Sequence, residues 1–222
     1  NVTSNFCPPN EKLWEKYLDY VKRICAEENV EHFMNFVSVD SWGPQAEYLR
    51  RGLDFNRMWD HVDQFLTEIP GRNSITFIIT YNNLSIIGIK NLLQGILELR
   101  KKHSKDYQRI WFDTPILREP DWQNIQILPT SYQMIHQEAI DWMKQNIETR
   151  DNRLHCIKDF EIQRMERDLA YMKKGTHDVD RKRADFWKFF KEYDKRHNRN
   201  IRDIFPQMSD FFNMCEMEAN KW

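Results

Sequence analysis

The residue types best suited to chemistry stand where apolar runs give way to loops. A run at about 32–40 ends in Ser38 and Asp40, and Arg50 follows beyond a glycine–proline pair and a predicted helical turn. A hydroxyl and a guanidinium at one rim can hold a carboxylate between them, since the guanidinium offers two parallel hydrogen bonds and the hydroxyl one. The alternative interpretation makes Ser38 a strand-end cap and Arg50 a solvated helix residue.

Two later apolar runs also end in polar side chains. The run at about 74–82 ends in Asn82 and is followed by Asn83, and these amides are candidates to meet a ligand. Alternatively, Asn83 or Ser85 only caps the next helix. The run at about 109–113 ends in Asp113, which either meets a ribose or substrate hydroxyl or only shapes the loop after it. Because the carboxyl ends of parallel strands carry the reactive groups of α/β folds, these side chains are predicted to share one rim with the residues above.

Other kinds of catalytic site have no local support in the sequence. The seven histidines form no H-x-x-x-H or H-E-x-x-H arrangement, and with six glycines the chain has neither a glycine-rich phosphate loop nor a nucleophile elbow. The four cysteines lie too far apart for a zinc site, a cluster or a disulfide scaffold, so we expect reduced thiols. They are Cys7, Cys25, Cys156 and Cys215.

The charge balance argues against nucleic acid as a partner. The chain has 33 Lys and Arg residues against 34 Asp and Glu, which leaves a formal net charge of -1 and no bulk attraction to polyanions. No run approaches the roughly 18 apolar residues of a membrane span, and no secretory leader opens the chain, so we expect a cytoplasmic protein without membrane contact. The first residue is Asn1 rather than methionine, which suggests processing or a fragment.

The hydrophobic pattern alternates between strands and helices over residues 1–150. Such alternation predicts parallel strands joined by right-handed crossovers, and four strands are too few to close an eight-stranded barrel. The predicted fold is therefore α/β, an open, partial TIM-like β/α barrel. The predicted strands lie at about 32–40, 74–82, 109–113 and 124–129, and the predicted helices at about 10–28, 54–68, 86–103 and 131–147. The second of these helices leads into Pro70-Gly71 before the next strand.

From about residue 151 the strand pattern stops, and residues 151–222 are predicted to form an all-helical C-terminal extension. Its helices have aromatic faces, with Phe186, Trp187, Phe189 and Phe190 in one and Phe211 and Phe212 in another. Core packing or a docking surface is favoured over base stacking. Basic residues flank these faces, but interleaved acidic residues weaken their field for RNA. The basic residues are Arg181, Lys182, Arg183, Lys195, Arg196, Arg199 and Arg202.

Taken together, several stretches resemble one protein family over nearly the whole chain. They are FVSVDSWGPQAEYLRRGLDF, ITFIITYNNLS, IWFDTPILREPDWQNIQILP and DFWKFFKEYDKRHNRNIRDIFPQMSDFFNMCE. In order and spacing they resemble the latter part of radical S-adenosylmethionine (radical SAM) proteins of the twitch-domain-containing type. The resemblance implies a partial barrel that binds S-adenosylmethionine and a [4Fe–4S] cluster. It also implies an enzyme that generates a 5′-deoxyadenosyl radical to take hydrogen from a substrate, for which a peptide or protein is the expected class.

The resemblance also implies roles for individual residues. The opening VTSN would end the third strand of the barrel, and the run at about 32–40 would be the fourth. Ser38 and Arg50 would then grip the methionyl carboxylate of the cofactor. Asn82 or Asn83 would lie on the rim of the fifth strand near the ribose or substrate, and the sixth strand would carry Asp113.

One departure from the family limits what this chain can do alone. The C-x-x-x-C-x-x-C loop that holds the cluster is absent, and its place lies before Asn1. We therefore expect the chain to be inactive alone. Its expected partner is the missing N-terminal part of the same barrel. The competing hypothesis is a non-catalytic half-barrel scaffold whose aromatic and basic extension binds a protein or peptide.

Overall fold

The computed structural model describes residues 1–27, 30–69 and 72–221, so the Pro70-Gly71 pair between the second predicted helix and the next strand lies outside the described residues. The strands are β1 (Val2–Ser4), β2 (Phe33–Ser38), β3 (Asn73–Ile78) and β4 (Ile110–Asp113). The helices are α1 (Glu11–Ala26), α2 (Pro44–Leu49), α3 (Phe55–Glu68), α4 (Ile89–His103), α5 (Ser131–Gln145), α6 (Asp159–Lys173), α7 (Val179–His197), α8 (Ile201–Ile204) and α9 (Ser209–Ala219). Short 3-10 turns cover Ser85–Ile87, Asp121–Gln123, Ile125–Ile127 and Pro206–Met208.

The strands form one parallel sheet in the order β1-β2-β3-β4, so each strand pairs with its neighbour in sequence. The register places Ser38 at the end of β2 opposite Ile78 of β3, and Ile78 opposite Asp113 at the end of β4. The α/β class with parallel pairing is confirmed, and the strand implied for the opening residues is present as β1. The sheet is open, which fits part of a barrel.

The two faces of the sheet differ in what covers them. Alternate residues such as Val37 and Phe77 are fully buried, and the Phe77 ring stacks on Trp59 of α3 with ring centroids 5.5 Å apart. The intervening residues, among them Phe36 and Thr76, are only half-buried. Side chains of successive strand residues point to opposite faces, so the sheet is packed on one face and partly open on the other.

The fourth predicted strand, at about 124–129, is wrong. The segment forms a 3-10 turn instead, because the Asn124 side chain accepts a hydrogen bond from the Gln126 backbone N–H at 2.9 Å and bends the chain. Ile125 and Ile127 are fully buried all the same. A short apolar run indicates that a segment is buried, but it does not by itself distinguish a strand from a buried turn.

The chain after residue 150 is helical, as predicted, apart from an isolated bridge between Ile147 and Ile157. The aromatic faces form a core: Phe186 of α7 and Phe211 of α9 are fully buried, with ring centroids 5.2 Å apart. This confirms the core interpretation for these rings. None of the helices that the structure describes is long and apolar enough to span a bilayer.

A buried ion pair ties α6 to α4 and β4. Arg100 and Glu161 are both fully buried, and the Arg100 Nη2 donates to Glu161 Oε1 at 2.6 Å while Nη1 donates to Oε2 at 2.9 Å. Two further N–H groups of Arg100 donate to the carbonyl oxygens of Ile110 and Cys156. The guanidinium therefore joins the last strand to the loop and helix that follow α5.

Candidate ligand site at the carboxyl edge of the sheet

Five of the six predicted site residues lie at or just beyond the carboxyl ends of strands, and the sixth, Arg50, directly follows α2. Ser38 is the last residue of β2 and Asp113 the last residue of β4, and both lie opposite Ile78 in the register. Asp40 follows β2, and Asn82 and Asn83 follow β3. Parallel pairing explains this, since all strands end at the same edge.

The central contact at this edge joins Asp40 to Arg50. Arg50 Nη2 donates to Asp40 Oδ1 at 3.0 Å, and Nε lies 2.9 Å from Oδ2 in an ion pair without hydrogen-bond alignment. The Thr80 backbone N–H also donates to Asp40 Oδ1, at 3.0 Å. The Asp40 side chain is 10% exposed and that of Arg50 is 28% exposed. The carboxylate of Asp40 thus holds the guanidinium of Arg50 beside the carboxyl ends of β2 and β3.

The local sequence explains how Arg50 returns to the end of β2. Gly43 has a φ of 56°, a left-handed conformation that favours glycine, and Pro44 then starts α2. The helix is only six residues long, and the Arg50 backbone N–H closes it by donating to the Ala46 carbonyl. Ser38, half-buried at the strand end, and Arg50 are thereby brought to the same edge, where Asp40 contacts Arg50.

The two asparagines after β3 play different structural parts. Asn82 Oδ1 accepts hydrogen bonds from the backbone N–H groups of Leu84 and Ser85, at 2.9 and 3.2 Å, so Asn82 caps the 3-10 turn that follows. Asn83 is fully buried, and its Nδ2 donates to the Trp122 carbonyl at 3.0 Å. Its Oδ1 has no hydrogen-bond partner among the described residues.

Asp113 is engaged with its own surroundings. Its Oδ1 lies 3.1 Å from Nη1 of Arg164 on α6, and it also accepts a hydrogen bond from the Thr114 backbone N–H at 3.0 Å. The side chain is 44% exposed. Asp113 therefore shapes the loop after β4, one of the two alternatives left open by the sequence, while its exposed part still faces solvent at the rim.

The sequence did not predict how closely the loop after β2 and the segment after β3 approach each other. A Cβ atom on Gly88 would lie 2.1 Å from Ser41 Oγ and 2.8 Å from the Trp42 backbone nitrogen, so only glycine fits there. Ser41 is fully buried, and its Oγ has no hydrogen-bond partner within the described part of the chain. The sequence feature that could have indicated this contact is a glycine, Gly88, directly before a helix.

A buried network also lies behind the rim. Tyr81 donates to His136 Nδ1 at 2.6 Å, and His136 Nε2 donates to the Met165 carbonyl at 2.8 Å. Burial lowers the pKa of His136 to about 4, so the imidazole is neutral near pH 7. Thr114 donates to the fully buried Asp168, and burial raises the pKa of that carboxyl group. These groups join α5 and α6 to the strand ends.

A metal site is not formed by the side chains that the structure describes. No three His, Cys, Asp or Glu residues among them are grouped so as to hold a metal ion. The four cysteines are free thiols, and Cys7, Cys156 and Cys215 are buried. Burial raises the pKa of the Cys215 thiol, which agrees with a structural role for this residue in the core.

Comparisons with family models, with curated proteins and with solved structures found no match to the chain.

Proposed function

We propose that this edge binds the amino-acid end of S-adenosylmethionine and that the chain is part of a radical SAM enzyme. Arg50 would receive the methionyl carboxylate, Ser38 would add a hydrogen bond, and Asp40 would orient the guanidinium. The observation that carries the proposal is the Asp40–Arg50 contact at the carboxyl edge. The family likeness in the sequence supplies the choice of cofactor.

The chemistry of the guanidinium supports a second carboxylate partner. Arginine has five N–H donors, and Asp40 contacts only the Nε and Nη2 side of Arg50. Within the described residues, the guanidinium of Arg50 forms no side-chain hydrogen bond other than the one to Asp40. Because Asp40 already holds the side chain in place, binding a carboxylate costs less side-chain entropy than it would with a mobile arginine.

The chain's own residues do not fit an iron–sulfur cluster. No metal-holding group exists among the described side chains, so under this proposal the cluster ligands would come from another part of the enzyme, N-terminal to Asn1. β1 is an end strand of the sheet, and its outer edge is where such a part would pair. Together, the bound cofactor and a cluster would supply hydrogen-atom abstraction from a substrate, with a peptide or protein as the proposed class. This chain's contribution is to bind and orient.

The reduced thiols also bear on location. All four cysteines are unpaired. Unpaired cysteines are typical of reducing compartments, which supports the proposal that the protein is cytoplasmic.

Calorimetric titration of the chain with S-adenosylmethionine tests the cofactor proposal. Arg50→Ala should lower the affinity by about tenfold or more, since a charge-assisted bidentate contact is lost. Arg51→Ala is the matched control, because Arg51 is the exposed neighbouring arginine and its loss should leave the affinity unchanged. Circular dichroism of each variant establishes that it is folded. Equal losses in both variants, or no binding by the wild-type chain, would contradict the proposal.

The scaffold hypothesis is a second proposal. In the structure, the surface left for a partner of the extension is basic rather than aromatic. The aromatic faces of α7 and α9 pack on each other, and Phe186, Phe211 and Phe212 are fully buried. A partner of the extension would therefore contact its basic side chains rather than these rings. Under this proposal the titration shows no cofactor binding.

A further inference from the structure

The extension contains a cleft of about 1020 Å³ between α7, α8 and the end of α9. Its lining includes the nearly buried Trp187 and Ile201. Four exposed cationic side chains also line it, and they are Lys188, Lys191, Lys195 and Arg199. An apolar base with cationic walls is the pattern of a surface that receives an anionic partner.

The acidic residues of the cleft are already engaged within the protein. Asp194 accepts hydrogen bonds from the Tyr48 hydroxyl at 2.7 Å and from the Ile201 backbone N–H at 2.8 Å. Glu216 pairs with Arg202 at 2.9 Å, and Glu192 pairs with Arg196 at 2.7 Å. These three carboxylates are therefore held in internal contacts. They still offset part of the positive charge, but five cationic side chains line the cleft, so its net charge is positive.

The lysines, in contrast, have no intramolecular partner of opposite charge. Lys188, Lys191 and Lys195 are exposed on α7, and no carboxylate within the described residues forms an ion pair with them. Their i, i+3, i+7 spacing puts them on one side of the helix over a length of about 10 Å. Lys191 and Lys195 stand four residues apart, an arrangement of like charges that destabilises a helix unless an anion offsets it.

We propose that this cleft binds an acidic helical segment of a partner protein. A helix with Asp or Glu at i, i+3 and i+7 presents carboxylates at the same spacing as the three lysines. Nucleic acid fits less well, because Trp187 is only 6% exposed and has little surface on which a base could stack. Arg202 and Lys191 also lie over its ring, at 4.8 and 5.7 Å from the centroid. This proposal goes beyond the cofactor site and does not depend on it.

Fluorescence anisotropy with a labelled helical peptide tests the proposal. The probe carries glutamates at i, i+3 and i+7, and a second peptide has glutamine at those positions. The wild-type chain should bind the glutamate peptide at least about tenfold more tightly than the glutamine peptide, and binding should weaken as salt is added. The variant Lys191→Glu/Lys195→Glu should lose this affinity by at least about tenfold.

A charge-matched control separates the cleft from the general charge of the protein. Lys12→Glu/Lys173→Glu makes the same change in net charge at exposed positions of α1 and α6. It should leave binding unchanged, and circular dichroism and a thermal melt establish that both variants fold. The proposal is overturned if the control loses as much affinity as the cleft variant, or if both peptides bind alike. It is also overturned if single-stranded RNA of equal charge binds more tightly than the peptide.

Discussion

The Tyr48 hydroxyl donates a hydrogen bond to Asp194 at 2.7 Å and so joins α2 to the C-terminal helices. The Tyr193 hydroxyl reinforces this contact by donating to the Tyr48 carbonyl at 3.0 Å, and Tyr48 itself is buried. Because α2 ends one residue before Arg50, the extension holds the segment that carries the proposed carboxylate-binding arginine. The helical extension is thus a positioning element for the rim, and its buried rings, such as Phe186 and Phe211, belong to the same hydrophobic core as Phe77 of the sheet.

Replacing Tyr48 with phenylalanine should lower the free energy of unfolding by about 1–3 kcal/mol, because Asp194 loses a donor while remaining partly buried. Urea denaturation measures this change. Tyr20→Phe is the matched control, since Tyr20 is 49% exposed and its loss of a hydroxyl should have little effect. A Tyr48→Phe variant as stable as the wild type would show that the contact does not hold α2 in place.

Asp40→Asn should weaken cofactor binding without unfolding the rim. The amide oxygen can still accept the hydrogen bond from the Thr80 backbone N–H, but the negative charge that holds Arg50 is gone. We expect the affinity for S-adenosylmethionine to fall by about threefold to tenfold, because Arg50 is less well ordered before binding. Calorimetry gives the affinity, and an unchanged thermal melt shows that the fold is intact. Unchanged affinity would remove Asp40 from the proposed site.

Breaking the buried Arg100–Glu161 pair should have the largest effect on stability. Glu161→Gln leaves a fully buried guanidinium without its charge partner, and we expect a loss of about 3–5 kcal/mol. Replacing both residues with leucine should recover part of that loss, because the uncompensated charge is then gone. Urea denaturation of the single and double variants provides the comparison.

The matched control for this pair is the exposed ion pair of Lys144 with Glu166, in which the side chains are 51% and 46% exposed. Glu166→Gln changes the same functional group on the same helix, and solvent screens its charge, so its unfolding midpoint should stay at the wild-type value. If Glu161→Gln proves equally harmless, the buried pair does not hold α6 to the sheet.

The parallel α/β arrangement was predictable because hydrophobic periodicity indicates which faces are buried. The alternation of strands with helices indicates parallel strands. Three predicted strands and the helices near them are present, with bounds that differ by a few residues. The run at about 124–129 was misassigned because the side chain of Asn124, a local hydrogen-bond acceptor, turns a short apolar segment back on itself. Such a contact leaves no trace in hydrophobic periodicity.

The rim of the site was predictable from topology, and its internal contacts were not. Strand ends are visible in the sequence, so the shared edge of Ser38 and Asp113 followed from parallel pairing. Pairing between side chains depends on loop geometry, so the Asp40–Arg50 contact and the cap made by Asn82 could not be read from spacing. Whether the rim binds the proposed cofactor stays a prediction.

Acid should destabilise the protein through His136. In the folded protein burial lowers the pKa of His136 to about 4, while in the unfolded chain it returns to about 6.5. Unfolding therefore takes up a proton between these values, so the stabilisation is fully present above pH 6.5 and is lost as the pH falls to about 4. Between pH 7 and pH 5 this group alone should cost about 2 kcal/mol of unfolding free energy.

The variant His136→Gln tests this assignment, because glutamine can hydrogen-bond to Tyr81 and Met165 but does not titrate. It should be less stable than the wild type at pH 7, since the packed ring is lost, and its stability should fall less between pH 7 and pH 5. His177→Gln removes an exposed histidine and should keep the wild-type pH dependence. Because other buried groups such as Asp168 contribute equally to both proteins, the difference between the two slopes isolates His136. Identical slopes in the wild type and His136→Gln would show that the imidazole is not held neutral by burial.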